Sequence, residues 1–121
     1  MTKKDIAITF LKMVSAGNID EAYEKYVHMD FIHHNAYYKG DSESLKQAMK
    51  EKATEFPNKK YEALRALEDG DLVAVHAKLT GVSETDWAVI HIFRFADDKI
   101  IEEWDATQDI PKDSPNKNGI F

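Results

Sequence analysis

The chain has 121 residues, 43% of them hydrophobic, and a net charge of −6, which suits a single domain with a buried core. The negative charge argues against nucleic acid or an anionic membrane as the main partner, because both attract clustered basic residues. The absence of cysteine excludes disulfides and thiolate chemistry. No signal peptide and no long apolar segment are recognisable, so we expect a cytoplasmic protein.

Three helices are predicted in the first half of the chain. Apolar residues recur there at helical spacing, and Thr2 with Asp5 forms a capping-box pattern. The predicted helices cover residues 3–16 and 19–27, and a third runs from a cap at Asp41 or Ser42 to Phe56. A short β-like segment, Phe31 to Asn35, lies between the second and the third.

From Lys59 onward the hydrophobic period changes to that of strands. Four strands are predicted, at residues 60–67, 72–80, 86–95 and 99–107. A run of helices followed by antiparallel strands is typical of an α+β domain, with the helices packed on one face of the sheet.

The last two predicted strands form a hairpin that carries a histidine and a carboxylate. If Phe95 pairs with Ile101, His91 lies opposite Asp105, on one face with Phe93, Glu103 and Ile101. Opposed Cβ atoms are about 5 Å apart, so the imidazole and the carboxylate can form an acid/base pair. A buried histidine satisfied by a neighbouring aspartate explains the same pattern without catalysis, and the residues alone leave both interpretations open.

The other face of this hairpin is apolar. It presents Ile90, Ile92 and Trp104, with Arg94 opposite Glu102. Such a face is too apolar to be left in water. Either a second copy of the sheet covers it, which predicts a homodimer, or the C-terminal tail does.

The remaining histidines are ambiguous from sequence. His33 and His34 are adjacent in a strand and point to opposite faces, so only one can reach a pocket, and parity does not decide which. His76, within an apolar strand, faces either the cavity or the sheet surface. The HxxxH and HExxH spacings of helical metal ligation are absent, so we expect no metal site.

Three motifs together resemble the SnoaL-like branch of the nuclear transport factor 2-like superfamily. Residues 26–35 resemble its Y-x-x-x-x-Y-I-Q-H-N segment, residues 70–76 its G-D-L-V-A-V-H strand, and residues 93–105 its F-R-F…G-K-I…E-H-W-D hallmark. The resemblance covers nearly all of residues 1–121 and implies a single SnoaL-like domain. It further implies three helices packed into a strongly curved antiparallel sheet, a cone with an apolar cavity, and dimerisation through the convex sheet face.

The resemblance also implies a chemistry. SnoaL-type polyketide cyclases close a ring by intramolecular aldol condensation without a cofactor, using an aspartate as acid/base and a histidine on the preceding strand. These roles carry over to Asp105 and His91. Two residues depart from the pattern, because Glu103 stands where the group usually has histidine before Trp104, and Asp98 stands where it usually has glycine.

Two functions follow as expectations. In the first, the chain is a cofactor-free enzyme for aldol condensation, cyclisation or isomerisation of a small apolar carbonyl compound. Asp105 is then the base, and His91 hydrogen-bonds it or returns the proton. In the second, the same cavity only binds a ligand and His91–Asp105 is a structural pair. The residues expected to contact the substrate or ligand are His34, Asn35, Phe93, Glu103 and His76, the first two by polarising a substrate oxygen.

Overall fold

A computed structural model describes residues 1–121 and contains three helices and five strands. In chain order these are α1 (Lys3–Ser15), α2 (Ile19–Tyr26), β1 (Val27–His33), α3 (Ser42–Glu55), β2 (Lys60–Asp69), β3 (Leu72–Thr80), β4 (Trp87–Ala96) and β5 (Lys99–Asp109). The predicted α+β class with three N-terminal helices is confirmed. None of the helices combines the length and the apolar character needed to cross a membrane.

The helices begin where the sequence predicts. The Thr2 side chain accepts a hydrogen bond from the backbone of Asp5, and the Asp5 side chain accepts one from the backbone of Thr2, so the capping box of α1 is formed. Asp41, not Ser42, caps α3 by accepting from the backbone N–H of Ser44 at 2.9 Å.

The five strands form one curved, unclosed sheet in the order β1-β5-β4-β3-β2. Strands β2 to β5 pair antiparallel, as expected from their short connections. Strand β1 runs parallel to β5, so the sheet is mixed. No hairpin turn joins β1 to β5, and their relative direction is therefore free to be parallel.

The predicted register of the β4–β5 hairpin is confirmed at its centre. His91 pairs with Asp105, and on the other face Ile92 pairs with Trp104. Near the turn the prediction is wrong, because Phe95 pairs with Ile100 and not with Ile101. A bulge of one residue lies between these two parts of the ladder and turns Ile100, which is fully buried, toward the helices.

The helices cover the inner, concave face of the sheet, where the main core lies. Phe10 of α1 packs edge-on against Phe93 of β4, with ring centroids 5.9 Å apart, and Tyr23 of α2 lies 5.5 Å from Phe10. Val73 and Val75 of β3 are fully buried beneath the helices. The core is continuous from α1 to the middle of the sheet.

The outer face of the sheet is covered only in part. The C-terminal Phe121 lies against His76, with ring centroids 6.4 Å apart, and under Lys78, whose Nζ is 5.3 Å from the Phe121 ring centroid. Ile90 and Ile92 stay 46% and 38% exposed. The tail therefore covers one end of this face and leaves its apolar centre open.

Candidate functional site

A cavity of about 180 Å³ lies between the helices and the inner face of the sheet. Its wall is largely apolar and is supplied by Leu11, Val14, Leu45 and Met49 from the helices and by Leu79, Trp87 and Val89 from the strands. The polar groups on this wall include Asn35, His91, Glu103 and Asp105. An apolar cavity with a few convergent polar groups is typical of a small-molecule site.

Asp105 is held by Asn35. The Asn35 amide nitrogen donates to both carboxylate oxygens, at 3.3 Å for Oδ1 and 3.1 Å for Oδ2. The contact arises because β1 runs parallel to β5 with His33 beside Glu103, so two residues further along Asn35 reaches Asp105. The predicted imidazole–carboxylate hydrogen bond between His91 and Asp105 does not form, because the carboxylate turns toward Asn35.

His33 positions Asn35. Its ring is buried, Nε2 lies 2.5 Å from the carbonyl of Lys39, and Nδ1 accepts from the Asn35 backbone N–H at 3.1 Å. The Asn35 side-chain oxygen accepts from the backbone N–H of Tyr37 at 3.0 Å, which leaves the amide nitrogen for Asp105. His33 is thus the inward-facing member of the His33-His34 pair, and its hydrogen bonds hold Asn35 in place.

Glu103 and His91 form a close buried pair beside Asp105. Nε2 of His91 lies 3.6 Å from Oε1 of Glu103, and the Glu103 side chain is only 7% exposed. Burial, reinforced by the nearby Asp105 carboxylate, raises the pKa of Glu103 to about 8. Burial lowers the pKa of His91 to about 4 against the opposing effect of Asp105. At neutral pH Glu103 therefore holds a proton and His91 is neutral.

Tyr61 of β2 also lines the cavity. Its ring meets that of His91 at a centroid distance of 6.3 Å, and its buried hydroxyl has no hydrogen-bond partner. Burial, with a further contribution from Glu103, raises the pKa of this phenol. Tyr61 thus offers a neutral donor to a ligand close to His91.

Three residues expected to contact a ligand lie elsewhere. His34 is on the outer face, where it stacks on Trp104 at 5.1 Å and bonds Glu102 at 2.7 Å. His76 is also on the outer face, bonded to Arg65. Phe93 is fully buried and stacks against His91 at 5.8 Å, so it supports the site from below. The expectation that His34 and His76 reach the cavity is wrong, because strand alternation turns both outward.

The residues best suited to a cation are His91, Glu103 and Asp105, whose ligand atoms lie within 4.8 Å of one another. Asp105 is already engaged by Asn35, which donates to both of its oxygens. A cation bound here would therefore compete with that contact.

Comparison with known proteins places the chain in a family. Residues 5–111 match the model of the SnoaL-like polyketide cyclases, and the chain belongs to that family. Family membership supports a cyclase-type role. No functionally curated protein matches the chain.

Solved structures share the fold. A candidate polyketide cyclase from Bacillus cereus has a TM-score of 0.73 at 25% identity, over 84% of this chain and 72% of that one. IdmH, a candidate polyketide cyclase from Streptomyces antibioticus, has a TM-score of 0.73 at 16% identity, over 89% and 93%. AclR, a candidate hydroxylase from Streptomyces galilaeus, has a TM-score of 0.67 at 21% identity, over 88% and 91%. The different activities ascribed to these proteins show that the fold alone does not define the reaction.

Sequence reasoning missed Tyr61 and Lys59 as residues of the cavity wall. Both precede a bulge in β2, between Ala63 and Arg65, that shifts the register relative to β3. Tyr61 and Ala63 occupy alternate positions of the strand, and this pattern indicates that the Tyr61 side chain points inward. Its closeness to His91 depends on sheet curvature, which no local pattern reveals.

Proposed function

We propose that the chain is an enzyme that forms an enol from a small apolar carbonyl compound and uses it for aldol-type condensation, cyclisation or isomerisation. The observation that carries this proposal is the pair of carboxyl groups, Glu103 and Asp105, on one cavity wall in different environments. The Glu103 carboxyl group is deeply buried and forms no side-chain hydrogen bond, whereas the Asp105 carboxylate is hydrogen-bonded by Asn35. Two carboxyl groups in unlike environments are suited to separate acid and base roles.

Asp105 is the proposed base. Its carboxylate accepts the proton from the carbon next to the substrate carbonyl, and the electron pair left behind forms the enol double bond. Asn35 holds the carboxylate in one orientation, and each oxygen keeps lone-pair capacity after receiving its bond from Asn35. A base fixed in this way needs little reorganisation when the substrate binds.

Glu103 is the proposed acid. Its proton is donated to the carbonyl oxygen as negative charge develops there, and the Tyr61 hydroxyl supplies a second donor on the same wall. Because the pKa of neighbouring His91 is the lower of the two, the proton stays on Glu103 until the substrate oxygen takes it. The enol carbon then attacks a second carbonyl carbon. As the new carbon–carbon bond forms, the π electrons of that carbonyl move to its oxygen, which takes the proton held by Asp105, and the enol O–H proton returns to Glu103. In an isomerisation, the proton held by Asp105 is instead returned to carbon at a different position.

Exchange of substrate protons with solvent tests the proposal without requiring the natural substrate. Acetophenone incubated with the protein in D₂O should lose its methyl proton signal faster than acetophenone alone. Asp105→Asn should slow this exchange by about 10²-fold or more, as loss of a general base implies. Asp113→Asn removes an exposed tail carboxylate and serves as the matched control.

The alternative is a binding protein in which Asp105 is purely structural. The specific observation in its favour is that Asn35 already reaches both oxygens of Asp105. A binding protein would accelerate no exchange, and Asp105→Asn would lower only stability, by about 1–3 kcal/mol. Exchange no faster than in buffer would overturn the enzyme proposal.

A further inference from the structure

One cation of the cavity wall is not used by the proposed chemistry. Lys59, just before β2, lines the cavity and is half-buried, yet its ammonium group forms no ion pair and no side-chain hydrogen bond. Most other lysines of this chain that are similarly half-buried have a partner, such as Lys46 with Asp20 at 3.2 Å and Lys78 with Asp86 at 3.5 Å. Burial and the nearby Lys52 lower the pKa of Lys59, as expected for a cation without a counter-ion.

The backbone at Lys59 is tightly supported. Gly81 has a φ of +83°, and a Cβ there would lie 2.7 Å from the carbonyl oxygen of Asn58 and 2.9 Å from the Cα of Lys59. Only a glycine allows the β3–β4 connection to approach this closely. The close packing holds the start of β2 against that connection, so Lys59 stands on a fixed part of the wall.

Lys59 and the proposed acid are connected through residues of the same cavity wall. Lys59 lies two residues before Tyr61, and both line the cavity; two residues of extended chain span about 7 Å. Tyr61 contacts His91, which lies next to Glu103. Lys59 and Glu103 thus line the same cavity, and Tyr61, in contact with His91, is the residue that links the two parts of its wall.

The size of the cavity limits the ligand. A cavity of about 150 Å³ accommodates benzene, and pockets for drug-sized ligands begin near 300 Å³. At about 180 Å³ this cavity suits one ring with short substituents.

We propose that the substrate is a small keto acid whose carboxylate pairs with Lys59 at one end of the cavity while its ketone reaches Glu103 and Asp105 at the other. This inference rests on the proposed function for the role of the ketone, and the carboxylate contact is independent of it. This orientation is electrostatically favourable, because the substrate carboxylate then lies beside the Lys59 ammonium group and away from the Asp105 carboxylate.

The test compares the binding of 4-acetylbenzoate and its methyl ester, which share a ring and a ketone and differ in charge. Dissociation constants are measured for the unaltered protein and for Lys59→Met, Lys59→Arg and Lys60→Met. Lys60 is the matched control. It is the next residue in the chain, is exposed, forms no ion pair and does not line the cavity. We expect the acid to bind about tenfold more tightly than the ester. Lys59→Met should abolish this preference, and the Lys59→Arg and Lys60→Met variants should keep it.

Melting curves show whether each variant is folded, and Lys59→Met should fold because it replaces an unpaired cation by an apolar chain of similar length. Equal binding of acid and ester, no binding of the acid, or a preference that survives in Lys59→Met would overturn the inference. Asp105→Asn separates it from the proposed function. If Asp105→Asn keeps the preference for the acid, and neither it nor the unaltered protein accelerates proton exchange, the carboxylate site stands and the enzyme proposal fails.

Discussion

Asn35 and Asp105 are separated by 70 positions in the chain, and yet the Asn35 amide reaches both oxygens of the Asp105 carboxylate. The first prediction concerns this contact. Asn35→Ala leaves a partly buried carboxylate without its donor and should lower the free energy of unfolding by about 1–3 kcal/mol. Chemical denaturation measures the change. Asn118→Ala, in the exposed tail, should change stability by less than about 0.5 kcal/mol, and equal effects of the two variants would contradict a specific Asn35–Asp105 bond.

The second prediction concerns the pH dependence of stability. The pKa of Glu103 is about 8 in the folded protein against an ordinary 4.5, so the folded state binds this proton more tightly than the unfolded state. Stability from Glu103 is therefore complete below pH 4.5 and is lost as the pH rises toward 8. His91, with its pKa lowered from 6.5 to about 4, has the opposite effect, which is complete above pH 6.5.

Between pH 6.5 and 8 the change in stability from this pair therefore comes mainly from Glu103. The free energy of unfolding should fall across this range by about 1–2 kcal/mol, since a full proton difference is worth about 1.4 kcal/mol per pH unit. Glu103→Gln should remove this fall, whereas Glu62→Gln, an exposed control on β2, should preserve it. Denaturation curves at several pH values measure this change. An equally large fall of the free energy of unfolding in Glu103→Gln would refute its assignment to Glu103.

The third prediction compares two glycines of the sheet connections. Gly81 and Gly70 both have positive φ, +83° and +61°, but a Cβ at Gly70 would meet nothing within 4 Å. Gly70→Ala should cost about 1 kcal/mol from the left-handed backbone alone. Gly81→Ala adds the clash with Asn58 and Lys59 and should cost clearly more. Thermal melting of the two variants measures the difference, and similar melting temperatures would show that the contact at Gly81 is not tight.

The fourth prediction concerns assembly. We propose that the exposed apolar centre of the outer face, at Ile90, Ile92 and Trp104, is the interface of a homodimer. A charge there should disrupt packing at the centre of an interface, so Trp104→Glu should sediment as a monomer. Tyr37→Glu, which changes an 88% exposed residue of a loop, should leave the dimer intact. A well-folded monomer of the unaltered protein at micromolar concentration would count against the proposal.

The sequence predicts features that depend on neighbouring residues better than features that depend on the pairing of distant strands. The β4–β5 hairpin was predictable because alternation and a short turn nearly determine an antiparallel register, and His91 opposite Asp105 is confirmed. The bulge that places Ile100 inside adds one residue without a clear local signal. The bond from Asn35 to Asp105 depends on a parallel pairing of distant strands, for which the sequence between them carries no register information.

The position of β5 in the sheet has a consequence for how the protein acquires its site during synthesis. This strand is the last to be made, and it lies between β1, the first, and β4. Until residues 99–109 emerge, β1 has no neighbour in the sheet, and the apolar inner surface cannot close. Such long-range pairing slows folding and exposes partly folded chains to aggregation. Docking of β5 brings Glu103 and Asp105 to Asn35 in the same step, so a chain that has completed its sheet has also assembled its cavity wall.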